Sequence, residues 1–258
     1  MTDGEVRYAR DGQVATVIFD RPAARNAMTW RMYEQLGEAC ARIAGDDGLR
    51  VAVFRGAGGK SFIAGTDIAQ FQAFRSGDDG IAYEEKMEGY LAAVEALPVP
   101  TLAVVEGFAI GGGLAIAAAC DLRIATPGAR FGVPIARTLG NCLSIANYAR
   151  LVAALGASRA KRVLLLADNL SAEEALAGGF LGEIVAAPDL DRRVAELCDR
   201  LARHAPITMR VSKEAIRRLM HAGLPGGDDL VRSCYGSADF RIGVNAFVEK
   251  REPQWTGK

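Results

Sequence analysis

The chain has 258 residues, 50% of them hydrophobic, and its 31 Lys and Arg balance 31 Asp and Glu. That much apolar material supports a sizeable buried interior, while a net charge of zero gives no global field for nucleic acid or an anionic membrane. No apolar run nears the roughly 20 residues of a membrane helix and no charged-then-apolar leader opens the chain, so a cytoplasmic globular protein is expected. The five cysteines are scattered without a CxxC pair, and only His204 and His221 are present, which argues against a disulfide framework or a metal site.

Residues 6–19 alternate apolar and polar around Asp11-Gly12, the pattern of a hairpin with a two-residue turn. After the Arg21-Pro22 break, Met32, Leu36, Cys40 and Ile43 recur at helical spacing, and Thr29 is a ready N-cap. Residues 51–55 read as a buried strand ended by Gly56. Residues 101–105 and 122–125 read as two more, with helical runs at about 83–97 and 114–120 between them. Strands alternating with helices define an α/β class. Beyond Pro188 the pattern is helical only, over 191–204, 208–221 and 228–247. The expected organisation is a strand-containing core over 1–195 and a helical region over 196–258, with 223–227 (GLPGG) a turn rather than a linker.

Two segments share one design. Residues 62–68 (FIAGTDI) and 105–113 (VEGFAIGGG) each run from a strand through glycine into the start of a helix. Glycine lets the backbone take positive φ and approach a ligand, and the first amides of a helix have no internal partner. The bland alternative is that the glycines serve tight turns or close packing. GxGxxG cannot be fitted and no Gly-Lys-Ser/Thr follows, so neither a dinucleotide nor a phosphate loop is indicated. Amides from two such turns converging on one oxygen would form an oxyanion hole, each donor worth about 3 kcal/mol of transition-state stabilisation.

In these segments the chain resembles the crotonase superfamily, the enoyl-CoA hydratase/isomerase group. The resemblance extends through Arg21-Pro22, Arg25-Asn26-Ala27, residues 98–121, Phe131-Gly132-Val133-Pro134 and the tail 246–253 (AFVEKREP), in order along nearly the whole chain. It implies a crotonase-like spiral of ββα units, a helical C-terminal oligomerisation region that builds a homotrimer or dimer of trimers, and an acyl-CoA thioester substrate. No cofactor is implied beyond the coenzyme A of that substrate. By position, the backbone N–H groups of Thr66 and Gly112 correspond to the oxyanion donors, and Arg25, Ala27, Ala64, Ile68, Phe247 and Lys250 to the CoA-binding edge.

The departure lies in the acids. Hydratases of this family carry glutamates where this chain has Ala115 and Ile135, and neither residue can move a proton. Since an acid/base group contributes about 10²–10⁴-fold, ordinary hydration is expected to be largely lost. The other residues near the pocket by sequence are Asp67, Arg137, Asn141 and Cys142. Asp67 reads best as a helix-start residue, and Cys142 as an inert thiol with no neighbouring histidine. Glu106 reads as an arginine partner, and Glu84, Glu85 and Glu88 as a solvated helix face with room for one to point inward. The expected function is an acyl-CoA enzyme with non-standard proton transfer. The alternatives are an acyl-CoA-binding pseudoenzyme and a thioester hydrolase or decarboxylase.

Overall fold

A computed structural model describes residues 4–258. The chain opens with an antiparallel hairpin of β1 (Glu5–Asp11) and β2 (Val14–Asp20). Asp11 pairs with Val14, so the turn is Gly12-Gln13, one residue later than the sequence indicates, with Gly12 at φ +54° taking the left-handed position such turns require. α1 (Trp30–Ala44) follows, capped by Thr29, whose hydroxyl accepts the Met32 N–H at 3.3 Å.

Three ββα windings then build the core. They are β3 (Val51–Gly56), β4 (Ser61–Ile63) and α2 (Gly77–Glu95); β5 (Thr101–Val105), β6 (Phe108–Ile110) and α3 (Gly112–Ala119); and β7 (Leu122–Ala125), β8 (Arg130–Gly132), a short α4 (Ile135–Thr138) and α5 (Ile145–Leu155). α6 (Ala157–Lys161), β9 (Leu170–Ser171), α7 (Ala172–Ala177) and β10 (Glu183–Ile184) close this part, and α8 (Leu190–Ala202), α9 (Pro206–His221), α10 (Asp228–Tyr235) and α11 (Ala238–Val248) complete the chain. Each winding gives its first strand to a six-stranded sheet, β1-β2-β3-β5-β7-β10, and its second to a four-stranded sheet, β4-β6-β8-β9. The result is the α/β spiral with a helical C-terminal region that the sequence implies.

The strand period of two sorts the large sheet's side chains into two cores. Val51, Val53, Leu102, Val104 and Ile124 face α8. Their neighbours Ala52, Phe54, Ala103 and Val105 face the main core with α1, α2 and α3. A third cluster joins Ile68 and Phe71 to Val231, Tyr235, Phe240 and Val244, folding α10 and α11 back over the first winding.

Two helical expectations change. The predicted 228–247 helix is two helices, because Gly236 ends α10 and the Ser237 hydroxyl caps α11 by accepting the Phe240 N–H at 3.0 Å. α2 begins at Gly77 rather than near 83: the Asp79 carboxylate accepts the Ser76 N–H at 2.8 Å, a start signal masked by Gly77 and Gly80. The segment after Thr66 is a short 3₁₀ helix, Ile68–Ala73, rather than an α-helix.

Candidate active site

β4 and β6 are parallel neighbours, so the glycine turns that follow them lie side by side. A methyl group on Gly111 would stand 3.8 Å from the Gly65 Cα. The three glycines at the mouth of α3 answer to different demands. Gly111 holds φ +56°, and a Cβ on Gly113 would come within 2.1 Å of the Ile63 carbonyl, so this part of the motif is close packing of α3 on β4. A Cβ on Gly112 would come within 2.5 Å of the Tyr33 hydroxyl and 3.2 Å of the Thr66 hydroxyl, so the space above it is shared with polar groups.

The amides at this junction are directed by the backbone. Met28 and Thr66 form a parallel bridge in which the Gly65 carbonyl accepts the Met28 N–H and the Met28 carbonyl accepts the Asp67 N–H, both within 2.9 Å. In that pattern the N–H of Thr66 itself turns to the opposite side. Gly112 is the first residue of α3 and has no carbonyl four residues back in the helix. Asn26, fully buried in the left-handed region, pins the loop that supports Thr66: its side chain accepts the Arg21 N–H at 2.9 Å and donates to the Ala57 and Ser61 carbonyls at 3.0 and 2.8 Å.

The turns open into a cleft that also receives Ala64, Ile68, Ala115, Ile135, Asn141 and Phe247. Most of its remaining wall is apolar, including Met87, Leu91, Leu143 and Leu151. The other residues anticipated for the site are not among its lining. Asp67 pairs with Arg21 at 3.0 Å and accepts the Ala69 N–H at 3.3 Å. Arg137 points to the exposed side of α4. Hydrogen bonding with Cys234 and burial push the Cys142 thiol up, away from nucleophilic thiolate character. Arg25 is exposed, its guanidinium 5.4 Å from the Phe108 ring and its carbonyl accepting the Ala64 N–H at 3.1 Å. The Ala27 carbonyl accepts from Arg21 at 3.2 Å. Lys250 is exposed just past α11, whereas Phe247, 49% exposed, stands at the cleft wall. Glu106 pairs with Arg55 at 3.4 Å.

One of the three glutamates of the expected solvated face, with its room for one to point inward, does enter the cleft. Glu84 is 5% exposed and lines the cavity with Thr66 and Gly112. The Tyr235 hydroxyl donates to its Oε1 at 2.7 Å and the Ser144 N–H to its Oε2 at 2.7 Å. Burial pushes the Glu84 carboxyl up to about 7, against the lowering pull of those two hydrogen bonds. Its position follows from α2: the buried residues Gly77, Gly80, Glu84, Met87, Leu91 and Val94 form one stripe at spacings of three and four, with Glu84 in its middle. That spacing was the available signal. Tyr33, also in the cleft, shares a 2.8 Å hydrogen bond with the Thr66 hydroxyl, and burial pushes its pKa up to about 12.

A ββα spiral with paired glycine turns opening on an apolar cleft defines a crotonase-fold protein. The family model for enoyl-CoA hydratase/isomerase matches residues 9–258, and the chain belongs to that family. It is 31% identical over 247 residues to a short-chain-enoyl-CoA hydratase of Clostridium acetobutylicum, covering 94% of each protein. It is 33% identical over 253 residues to the mitochondrial enoyl-CoA hydratase domain-containing protein 2 of Bos taurus, covering 95% of this chain and 85% of that protein. Among solved structures it is similar to an enoyl-CoA hydratase/carnithine racemase from Magnetospirillum magneticum, with TM-score 0.80, 32% identity and coverage of 98% and 96%. A methylmalonyl-CoA decarboxylase in complex with 2-nitronate-propionyl-CoA matches with TM-score 0.90 and 26% identity over 98% of both chains. No described helix is long and apolar enough to cross a membrane.

Proposed function

We propose that this chain is an acyl-CoA enzyme that seats a thioester carbonyl oxygen between the Thr66 and Gly112 N–H groups and stabilises the enolate formed when charge moves onto that oxygen. The reading is carried by the two glycine turns lying side by side at the mouth of an apolar cleft, with the Thr66 amide turned out of its bridge and the Gly112 amide in the first turn of α3. Two donors so placed would lower the barrier to enolate formation by several kcal/mol, at about 3 kcal/mol each. The apolar wall suits an acyl chain. Arg25, Ala27, Ala64, Ile68, Phe247 and Lys250 then form the edge along which CoA lies. Ala115 and Ile135 leave two-glutamate water addition without its acids, so ordinary hydration is not the reaction assigned.

Decarboxylation is the second reading, because losing CO₂ from a malonyl-type thioester develops the same enolate and the similarity to a methylmalonyl-CoA decarboxylase spans the chain. It ranks lower because a substrate carboxylate would share the cleft with Glu84. The helix α9 supports assembly into a trimer or dimer of trimers: none of its residues is buried, and Ile207, Val211, Ile216 and Leu219 are 57–78% exposed.

Thermal unfolding with CoA, butyryl-CoA and crotonyl-CoA tests the binding. At 100 times Kd a ligand adds about 2.7 kcal/mol to the folded state, which raises Tm by several degrees. Acyl-CoAs stabilising more than free CoA is the expected result; no stabilisation by any of them would remove the reading.

A further inference from the structure

We propose that Glu84 is the acid/base that moves a proton along the acyl chain of an unsaturated thioester, a role that rests on the thioester reading above. The group is built into the cleft rather than left over on a helix surface. Gly80, one turn before it, gives Tyr235 room to lie on α2: a Cβ at residue 80 would stand 2.2 Å from the Tyr235 ring. The ring's hydroxyl thereby reaches one Glu84 oxygen, and Asn141 donates to that hydroxyl at 3.3 Å from behind. The Ser144 N–H fixes the other oxygen. Each carboxylate oxygen keeps a lone pair, and the cavity holding Glu84 also holds both glycine turns.

The surroundings leave the group free to exchange a proton. Among the described residues, the ionisable groups coupled to Glu84 include Tyr33 from α1, Tyr83 and Glu88 from α2, Cys142 from the loop before α5, Tyr148 from α5, and Cys234 and Tyr235 from α10, and none of these is a cation. The buried Arg150 is engaged instead by Glu88 and Glu95, each at 2.7 Å, so its charge is spent on those two carboxylates and does not lock Glu84 in its ionised form. A carboxyl that titrates at about 7 is present in both protonation states at neutral pH.

One such group suffices for an allylic shift. The Glu84 carboxylate takes a proton from the α-carbon of a β,γ-unsaturated acyl thioester. The C–H electron pair moves into the bond to the carbonyl carbon, and negative charge settles on the oxygen facing Thr66 and Gly112. The Glu84 carboxyl then returns its proton to the γ-carbon, the charge leaves the oxygen, and an α,β-unsaturated thioester results. Atoms and electrons balance without water or a second acid, consistent with Ala115 and Ile135 at the positions where relatives carry glutamates.

The test compares the full-length protein with Glu84→Gln and Tyr235→Phe. Binding of butyryl-CoA, deuterium incorporation at its α-carbon in D₂O, and conversion of 3-hexenoyl-CoA to the conjugated isomer are each followed from pH 5 to 9. Wild type is expected to exchange and isomerise with a rising limb centred near pH 7. Glu84→Gln should bind butyryl-CoA comparably and lose both reactions by about 10²–10⁴-fold. Tyr235→Phe should keep the reactions with the limb moved to higher pH, because the lost hydrogen bond favoured the carboxylate. Glu84→Gln retaining the wild-type rate, an unmoved limb in Tyr235→Phe, or wild type that binds but neither exchanges nor isomerises would each overturn the role of Glu84 and leave the thioester reading standing. Failure of wild type to bind any acyl-CoA would overturn both.

Discussion

Glu84 and Asn26 are the most informative single residues, and they act oppositely on stability. Asn26 satisfies three backbone groups from a buried position, so Asn26→Ala should lower folding stability by about 2–4 kcal/mol in denaturant unfolding, since a buried group left unsatisfied costs about 1–3 kcal/mol. Glu84 is a liability to the fold at high pH. Its carboxyl ionises near 4.5 in the unfolded chain and near 7 in the folded one, so the folded state holds the extra proton between those values. Stability contributed by the neutral form is therefore full below pH 4.5 and lost as pH rises through 7, by something on the order of 3 kcal/mol. Stability curves of wild type and Glu84→Gln should converge near pH 5 and separate by pH 8, with the variant the more stable; parallel curves would contradict the burial of this carboxyl. Ala115 and Ile135 give a complementary prediction. Replacing both with Glu should create measurable hydration of crotonyl-CoA, and a folded double variant without any would count against the correspondence of these positions to the family's acids.

At the scale of elements, the contact between α2 and α10 sets the geometry of Glu84. Gly77 and Gly80 let the helices approach so closely that a Cβ at either position would fall 2.2 Å from Arg232 or Tyr235. Gly80→Ala should cost about 1–3 kcal/mol by overpacking, despite the better helix propensity of alanine, and should disturb the Tyr235 hydrogen bond to Glu84. The expected signature is a reduced proton-exchange rate with thioester binding retained, and a fully active, more stable variant would contradict it. The same helix explains why this part of the site was hard to read. The strands over 51–55, 101–105 and 122–125 announced themselves because all-apolar runs between breaks have few other solutions. α1 announced itself through its periodicity and its cap. In α2 the buried stripe runs through two glycines and a glutamate, so it carries little hydrophobic contrast, and three acids within five residues look like a solvated face. Only the position of Glu84 relative to Met87, Leu91 and Val94 distinguished it from Glu85. The residues that orient it, Tyr235 and Ser144, lie 151 and 60 positions away in sequence, and such pairings follow from the fold rather than from local pattern.

Across the whole molecule, the spiral brings two short strands from successive windings side by side and lets the C-terminal helices fold back over the opening. The glycine turns were legible as turns from sequence, whereas their adjacency required the second sheet, whose strands are only two or three residues long and paired across windings. The exposed apolar residues of α9 belong to this scale too, since a helix of 16 residues with none buried gains little from its own chain. Light scattering should report a trimer or its dimer. Ile216→Asp with Leu219→Asp should shift it to monomer, and a wild-type monomer at micromolar concentration would contradict the assembly. The most direct measurement is a crystal structure with butyryl-CoA bound: the thioester oxygen should lie about 2.7–3.2 Å from both the Thr66 and Gly112 nitrogens, with its α-carbon facing Glu84. A thioester seated in the cleft with its oxygen turned away from that pair of amides would contradict the proposed function at its root.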